Sequence, residues 1–200
     1  MTVFPIGHYL GPFFPAKGAP MECHQIRVGQ SVTNLFSQEE FAVWALAHGL
    51  PGMTVGSQWT PEALAALVRE RGGDDVTGLV AELIQSGVLV EVSPGPDALA
   101  FARGHRLQAL LVGLGTTVAR PDQFLLGFTG QPFATVDELA FELWQWGPLH
   151  PDLWTACEAL AATDTVTTGR PTSPEELLTS VLDGLHTLLS NGAAYLDVVG

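Results

Sequence analysis

Hydrophobic positions fall into blocks whose period changes along the chain. From residue 25, apolar and polar residues alternate on either side of Gly29, which predicts a β-hairpin; from Phe41 the spacing turns helical. Ser37 stands three residues before Glu40, a capping box in which the hydroxyl takes a free backbone N–H and the carboxylate reaches back to the cap. Gly49 closes that helix where a left-handed turn is tolerated. Thr60-Pro61-Glu62 starts a second helix, with Thr as cap, Pro at the first helical position and Leu64, Leu67 and Val68 on the apolar face. A third is predicted over about 75–85, where Val76, Leu79, Val80, Leu83 and Ile84 recur at helical spacing. Ser86-Gly87 ends it, and the apolar run 88–92 reads as a strand.

The same order recurs about a hundred residues on. Residues 25–49 align without a gap on 123–147, with Gln25 on Gln123, Gly29 on Gly127, Glu40 on Glu138, Ala42 on Ala140 and Gly49 on Gly147. In this register the second hairpin breaks at Gly127, the second capping box is Thr135 with Glu138, and Gly147 ends the helix. His150-Pro151-Asp152 then starts a helix holding Leu153, Trp154, Cys157 and Leu160. Another spans 174–189, with Leu177, Val181, Leu185, Leu188 and Leu189 inside, and Asn191-Gly192 leads into a strand over 193–199. Each copy reads strand–strand–helix–helix–helix–strand, so the fold class is α+β with two similar units in tandem. The expected boundaries are an extended, Pro-rich N-terminal arm over 1–22 that lies on the folded body, a first unit over 23–93, a connecting helix (97–114) and linker over 94–121, and a second unit over 122–200.

Residues 24–92 resemble the PqqD-like, or RiPP-recognition-element, branch of the winged helix-turn-helix superfamily. The residues that carry this are Leu35-Phe36-Ser37, Phe41, Trp44, Gly49 and the closing Leu83-Ile84-Gln85-Ser86-Gly87-Val88-Leu89. The second copy is similar through Phe133, Leu139, Trp144, Gly147 and the run from Leu188 to Ala194. The resemblance implies two winged-helix-like units that take an extended peptide as an added strand, against the sheet edge and the third helix. Carried over, that groove lies between residues 32–35 and the outer face of 76–83, with Val32, Asn34, Val76, Leu79 and Leu83 as its contacts.

Charge bears on the partner. Eight basic residues face 21 acidic ones, a formal charge of −13, and Lys17 is the single lysine. Nucleic-acid affinity comes mainly from cations that release phosphate counterions, and the third helices begin with Asp74-Asp75 and Pro174-Glu175-Glu176. A nucleic-acid partner is therefore not expected. The alternative is a DNA-binding transcriptional regulator acting through a basic patch generated in a homodimer. Arg69 and Arg71 end the second helix, and Arg103, His105 and Arg106 form a small basic cluster on the connecting helix, a solvated face or a contact for phosphate or an acidic partner. An apolar fraction of 46% excludes a disordered chain. Two cysteines fit a reducing compartment, and the N-terminus lacks the basic and apolar regions of a signal peptide, so a cytoplasmic location and no membrane are expected.

No residue set calls for catalysis. Cys23 and His24 adjoin, but neighbours on a strand point to opposite faces. Asp183 and His186 share a helix face without the further carboxylates that a di-metal site needs. Gly113-x-Gly115 lacks the third glycine and the preceding strand of a dinucleotide fingerprint. Neither enzyme activity nor a cofactor nor a metal is expected. Aromatics are more telling: Phe141, Trp144 and Trp146 cannot all share one helix face, so among Trp144, Trp146 and Trp154 at least one should be exposed or should seal an interface. The function these observations predict is a non-catalytic, protein- or peptide-binding adaptor.

Overall fold

A computed structural model describes residues 1–51, 59–71, 76–169 and 171–200, with Thr168 by its backbone alone. Two compact units emerge, one built on Met1–Gly49 and Gln58–Val92, the other on Ser93–Val199. Both helices and strands are present throughout, which makes the fold α+β.

In unit 1 the residues read as an arm are strands. Thr2–Pro5 (β1) pairs antiparallel with Leu89–Val92 (β5), Phe4 opposite Val90. His8–Phe13 (β2), Cys23–Val28 (β3) and Ser31–Leu35 (β4) form a meander in that order. The physical reason is burial: Val3, Phe4 and Ile6 are fully buried, and each large apolar side chain removed from water contributes about 1.5–3 kcal/mol. Gly29 takes φ +57 at the first position of the two-residue loop between Val28 and Ser31, where such hairpins place glycine. Gln38–Leu46 (α1) opens on the expected box: the Ser37 hydroxyl accepts from the Glu40 N–H at 3.0 Å, and the Glu40 carboxylate accepts from the Ser37 N–H at 2.8 Å. Pro61–Glu70 (α2) starts behind a Thr60 cap, and Thr77–Gln85 (α3) ends at Gly87, whose φ of +77 turns the chain into β5. The Asp74-Asp75 start expected for the third helix lies outside the described residues.

Unit 2 holds Pro96–Gly104 (α4), His105–Ala109 (β6), Val112–Thr117 (β7), Arg120–Phe128 (β8), Gln131–Val136 (β9), Glu138–Trp146 (α5), Leu153–Thr168 (α6), Pro174–Ser190 (α7) and Ala194–Val198 (β10). The connecting helix stops at Gly104, ten residues short of its expected end. His105-Arg106-Leu107-Gln108-Ala109 alternates, buries Leu107 completely and pairs residue for residue with β10; the Gly- and Thr-rich run of β7 favours strand over helix. The end of the expected linker, after residue 114, is the tip of the β7–β8 hairpin.

Element order and strand pairing in unit 2 repeat those of unit 1. β6 pairs with β10 as β1 pairs with β5, and β7-β8-β9 is a meander like β2-β3-β4. The Ile6 N–H donates to the Val88 carbonyl at 2.9 Å, and the Leu110 N–H donates to that of Ala193 at the same distance. The true register of the meander and first helix is a hundred residues, two more than the gapless alignment. Val28 closes its hairpin on Ser31 and Phe128 closes on Gln131. Gly127, expected at the turn, lies inside β8 beside a register shift, where a Cβ would come 2.2 Å from the Gln131 carbonyl oxygen. The turn is Thr129-Gly130, with Gly130 at φ +78. Two consequences follow for α5. Its cap is Asp137, which accepts from the Ala140 N–H at 2.8 Å, in place of Thr135; Gly147 has φ −50 and continues into a short 3-10 turn over Gly147–Leu149.

Candidate functional site

The groove residues expected in unit 1 are not brought together on an open surface. β4 is an edge strand on which Val32, 51% exposed, and Asn34 face solvent; the Gln25 amide donates to Asn34 Oδ1 at 3.2 Å. Val76 and Leu83 are each 3% exposed and belong to the core, and Leu79 is half-buried. Helix α3 is nine residues long and packs on α1, α2 and β5, so its apolar face is consumed by the fold.

Their counterparts in unit 2 are as deeply buried, Val181 at 1% and Leu188 at 0%, and the difference lies at the position of Leu79. Gly87 and Gly192 both follow the third helix with positive φ, and this register, a hundred and five residues, sets Val76, Leu79 and Leu83 on Val181, Gly184 and Leu188. These three line a cleft of about 260 Å³ together with Leu139, Ala140 and Leu143. α7 is seventeen residues long and lies against both α5 and β9, the edge strand of its sheet. Where unit 1 has Leu79, a Cβ built on Gly184 meets nothing within 4 Å. A glycine inside a helix costs about 1 kcal/mol relative to alanine, and here no crowding demands it. Asp137, Ser180 and Asp183 form an exposed polar rim, and among the described residues no cation lines the cleft. On β9 itself, Pro132 removes one edge N–H, and the exposed rings of Phe133 and Phe128 meet edge to face at 5.4 Å.

The aromatics divide as their spacing suggests. Phe141 stacks on Phe124 at 4.2 Å and on Trp144 at 5.5 Å, while Trp146 is 45% exposed. Trp146 walls a second cleft, of about 470 Å³, with Glu142, His150 and Thr163. Burial, then the charges of Glu138 and Asp164, raise the Glu142 carboxyl above its ordinary pKa. Trp154 is half-buried with the Arg103 guanidinium 5.5 Å from its ring centre. Arg106 stands 3.9 Å from Asp197, which is fully buried. His105 stacks on Phe101 and its Nδ1 lies 2.9 Å from the Phe101 carbonyl oxygen; burial lowers its pKa. Arg103 stays exposed and the Arg106 side chain is 39% exposed, so both remain open to solvent beside these contacts.

The remaining chemical candidates are structural. Cys23 and His24 lie on β3, where His24 Nδ1 meets the Tyr9 hydroxyl at 2.8 Å and Nε2 lies 3.2 Å from the Gln38 amide nitrogen. Burial, then Asp152 and Glu158, push the Cys157 thiol up to about 12, which leaves it protonated and unreactive at neutral pH. No group of three or more His, Cys, Asp or Glu among the described residues is placed to hold a metal ion. Among those residues, no helix is long and apolar enough to cross a membrane. No family model, no curated protein and no solved structure matches this chain.

Proposed function

We propose that this protein is a non-catalytic adaptor of winged-helix type, acting in the cytoplasm, that binds a protein or peptide in the cleft between α5 and α7 beside the edge strand β9. The observation that supports this reading is Gly184. It opens an apolar-floored cleft on the third helix, at a helix-interior position where alanine would be more stable and no clash forbids one. The resemblance to peptide-recognition domains points to the same two elements, a sheet edge and a third helix, and unit 2 has them side by side. Acidic residues on the rim, and a formal charge of −13 over the whole chain, favour this over a DNA-binding regulator.

A random peptide library displayed on phage and selected on the folded chain tests it. The expected result is a recurring set of peptides that bind the native chain and lose at least tenfold in affinity on Gly184→Leu. Failure to enrich any peptide, together with sequence-specific retention of DNA at about physiological salt in a gel shift, would overturn the reading.

A further inference from the structure

We infer that the occupant of the unit 2 cleft is a short extended segment in which one large apolar side chain, seated over Gly184, is flanked by lysine or arginine. This rests on the peptide-binding reading above. A volume of about 260 Å³ lies below the ~300–1,000 Å³ of small-molecule sites, so it suits a side chain more than a cofactor. The floor is Leu139, Leu143, Val181 and Leu188, with no polar side chain to satisfy, and the gap above Gly184 is where an apolar group enters.

Charge decides what surrounds that anchor. The rim carboxylates of Asp137 and Asp183 are exposed, and Asp183 lies one residue before the glycine. Among the described residues that line the cleft none is cationic, and the chain as a whole carries −13, so its field steers and selects a positive partner. The strand edge limits length. Pro132 offers no N–H, which confines main-chain pairing along β9 to residues 133–136.

The test is fluorescence anisotropy with the full chain and three labelled nonapeptides of Gly and Ser. One carries a central Trp between two Lys, one a central Trp between two Glu, and one a central Ala between two Lys. The first is expected to bind at least tenfold more tightly than the others, and to weaken as salt rises. Gly184→Leu should cost that peptide tenfold or more while the thermal midpoint holds or rises. The double variant D137N/D183N should erase the preference for Lys over Glu and keep that for Trp over Ala. Should Gly184→Leu fail to fold, the exposed Asp183→Lys reads the same preference. Equal binding of the Glu-flanked or the Ala-centred peptide would overturn the inference and leave the peptide-binding reading standing. Binding of none of the three, with none recovered from the phage library, would sink both. A dimer that Gly184→Leu dissociates would place a second copy in the cleft and also overturn it.

Discussion

In each unit a ring from the middle strand of the meander stacks on a ring of the first helix, which stacks in turn on a second: His24 on Phe41 and Phe41 on Trp44 in unit 1, Phe124 on Phe141 and Phe141 on Trp144 in unit 2. The scaffold is shared and the chemistry is not. In unit 1 Tyr9 and Gln38 reach the two ring nitrogens of His24, and the Trp44 indole donates to the Ile6 carbonyl at 3.2 Å. In unit 2 the counterpart of Tyr9 is Gly113, whose absent side chain lets the Trp144 ring come within 3.3 Å of where a Cβ would stand. The Trp144 indole N–H is buried with no acceptor among the described residues. The third helices differ in the same sense, with Leu79 packed in unit 1 and Gly184 open in unit 2. Each unit keeps a buried polar atom without a partner among the described residues, a Glu91 carboxylate oxygen in unit 1 and the Trp144 indole N–H in unit 2, so the contrast lies in how the rings and the third helix are packed.

Acid should expose the largest asymmetry. His48, at the end of the first helix, packs edge-on against Trp44, and burial lowers its pKa to about 4, partly offset by its bond to the Trp44 carbonyl; the same place in unit 2 is Pro148. An unfolded histidine takes its proton near 6.5, so between pH 6.5 and 4 the unfolded chain binds more protons and stability falls as pH drops. The loss between pH 7.5 and 4.5 should be about 2–3 kcal/mol, and urea titrations of wild type and His48→Gln should show the variant losing correspondingly less. His105 adds to the loss with the same sign in both proteins, so the difference isolates His48. Equal acid slopes would remove this distinction between the units.

The indoles give a smaller contrast. Trp44→Phe strands the Ile6 carbonyl and should cost about 1–2 kcal/mol, whereas Trp144→Phe removes an unpaired donor and should leave stability within about 0.5 kcal/mol or raise it. Matching losses in chemical denaturation would mean that Trp144 has a partner after all. Smaller than the contrast between the two indoles, Gly184→Ala should stabilise by up to about 1 kcal/mol through helix propensity alone, with no steric cost at the open Cβ. A drop in the thermal midpoint would show that the glycine is required by packing.

Local chemistry was legible in the sequence, and long-range partners were not. The Ser37–Glu40 box, the Thr60-Pro61 start and the turns at Gly87 and Gly192 depend on residues a few positions apart, and each stands where expected. β1 and β6 escaped because their partners lie more than eighty residues away, and five residues of alternation beside a helix read as its continuation. The register slipped because β9 carries a bulge opposite Gly127, which no gapless alignment can hold; that one shift misplaced the second turn and cap. The exposed member of the tryptophan cluster, Trp146, follows from helix periodicity. Of the expected groove residues, Val76 and Leu83 are core in unit 1, while the equivalent Val181, Gly184 and Leu188 line a cleft in unit 2. Their meaning rests on a side chain that is missing at Gly184, visible only once the third helices are aligned on their closing glycines.

Amide chemical-shift mapping of the ¹⁵N-labelled full chain, titrated with the Lys-flanked Trp nonapeptide, tests the division of labour most directly. The account predicts that the largest shifts fall on Leu139, Val181 and Gly184 and their neighbours along β9, while Ser31–Leu35 and α3 stay still. Shifts confined to unit 1, or spread evenly over both third helices, would contradict it.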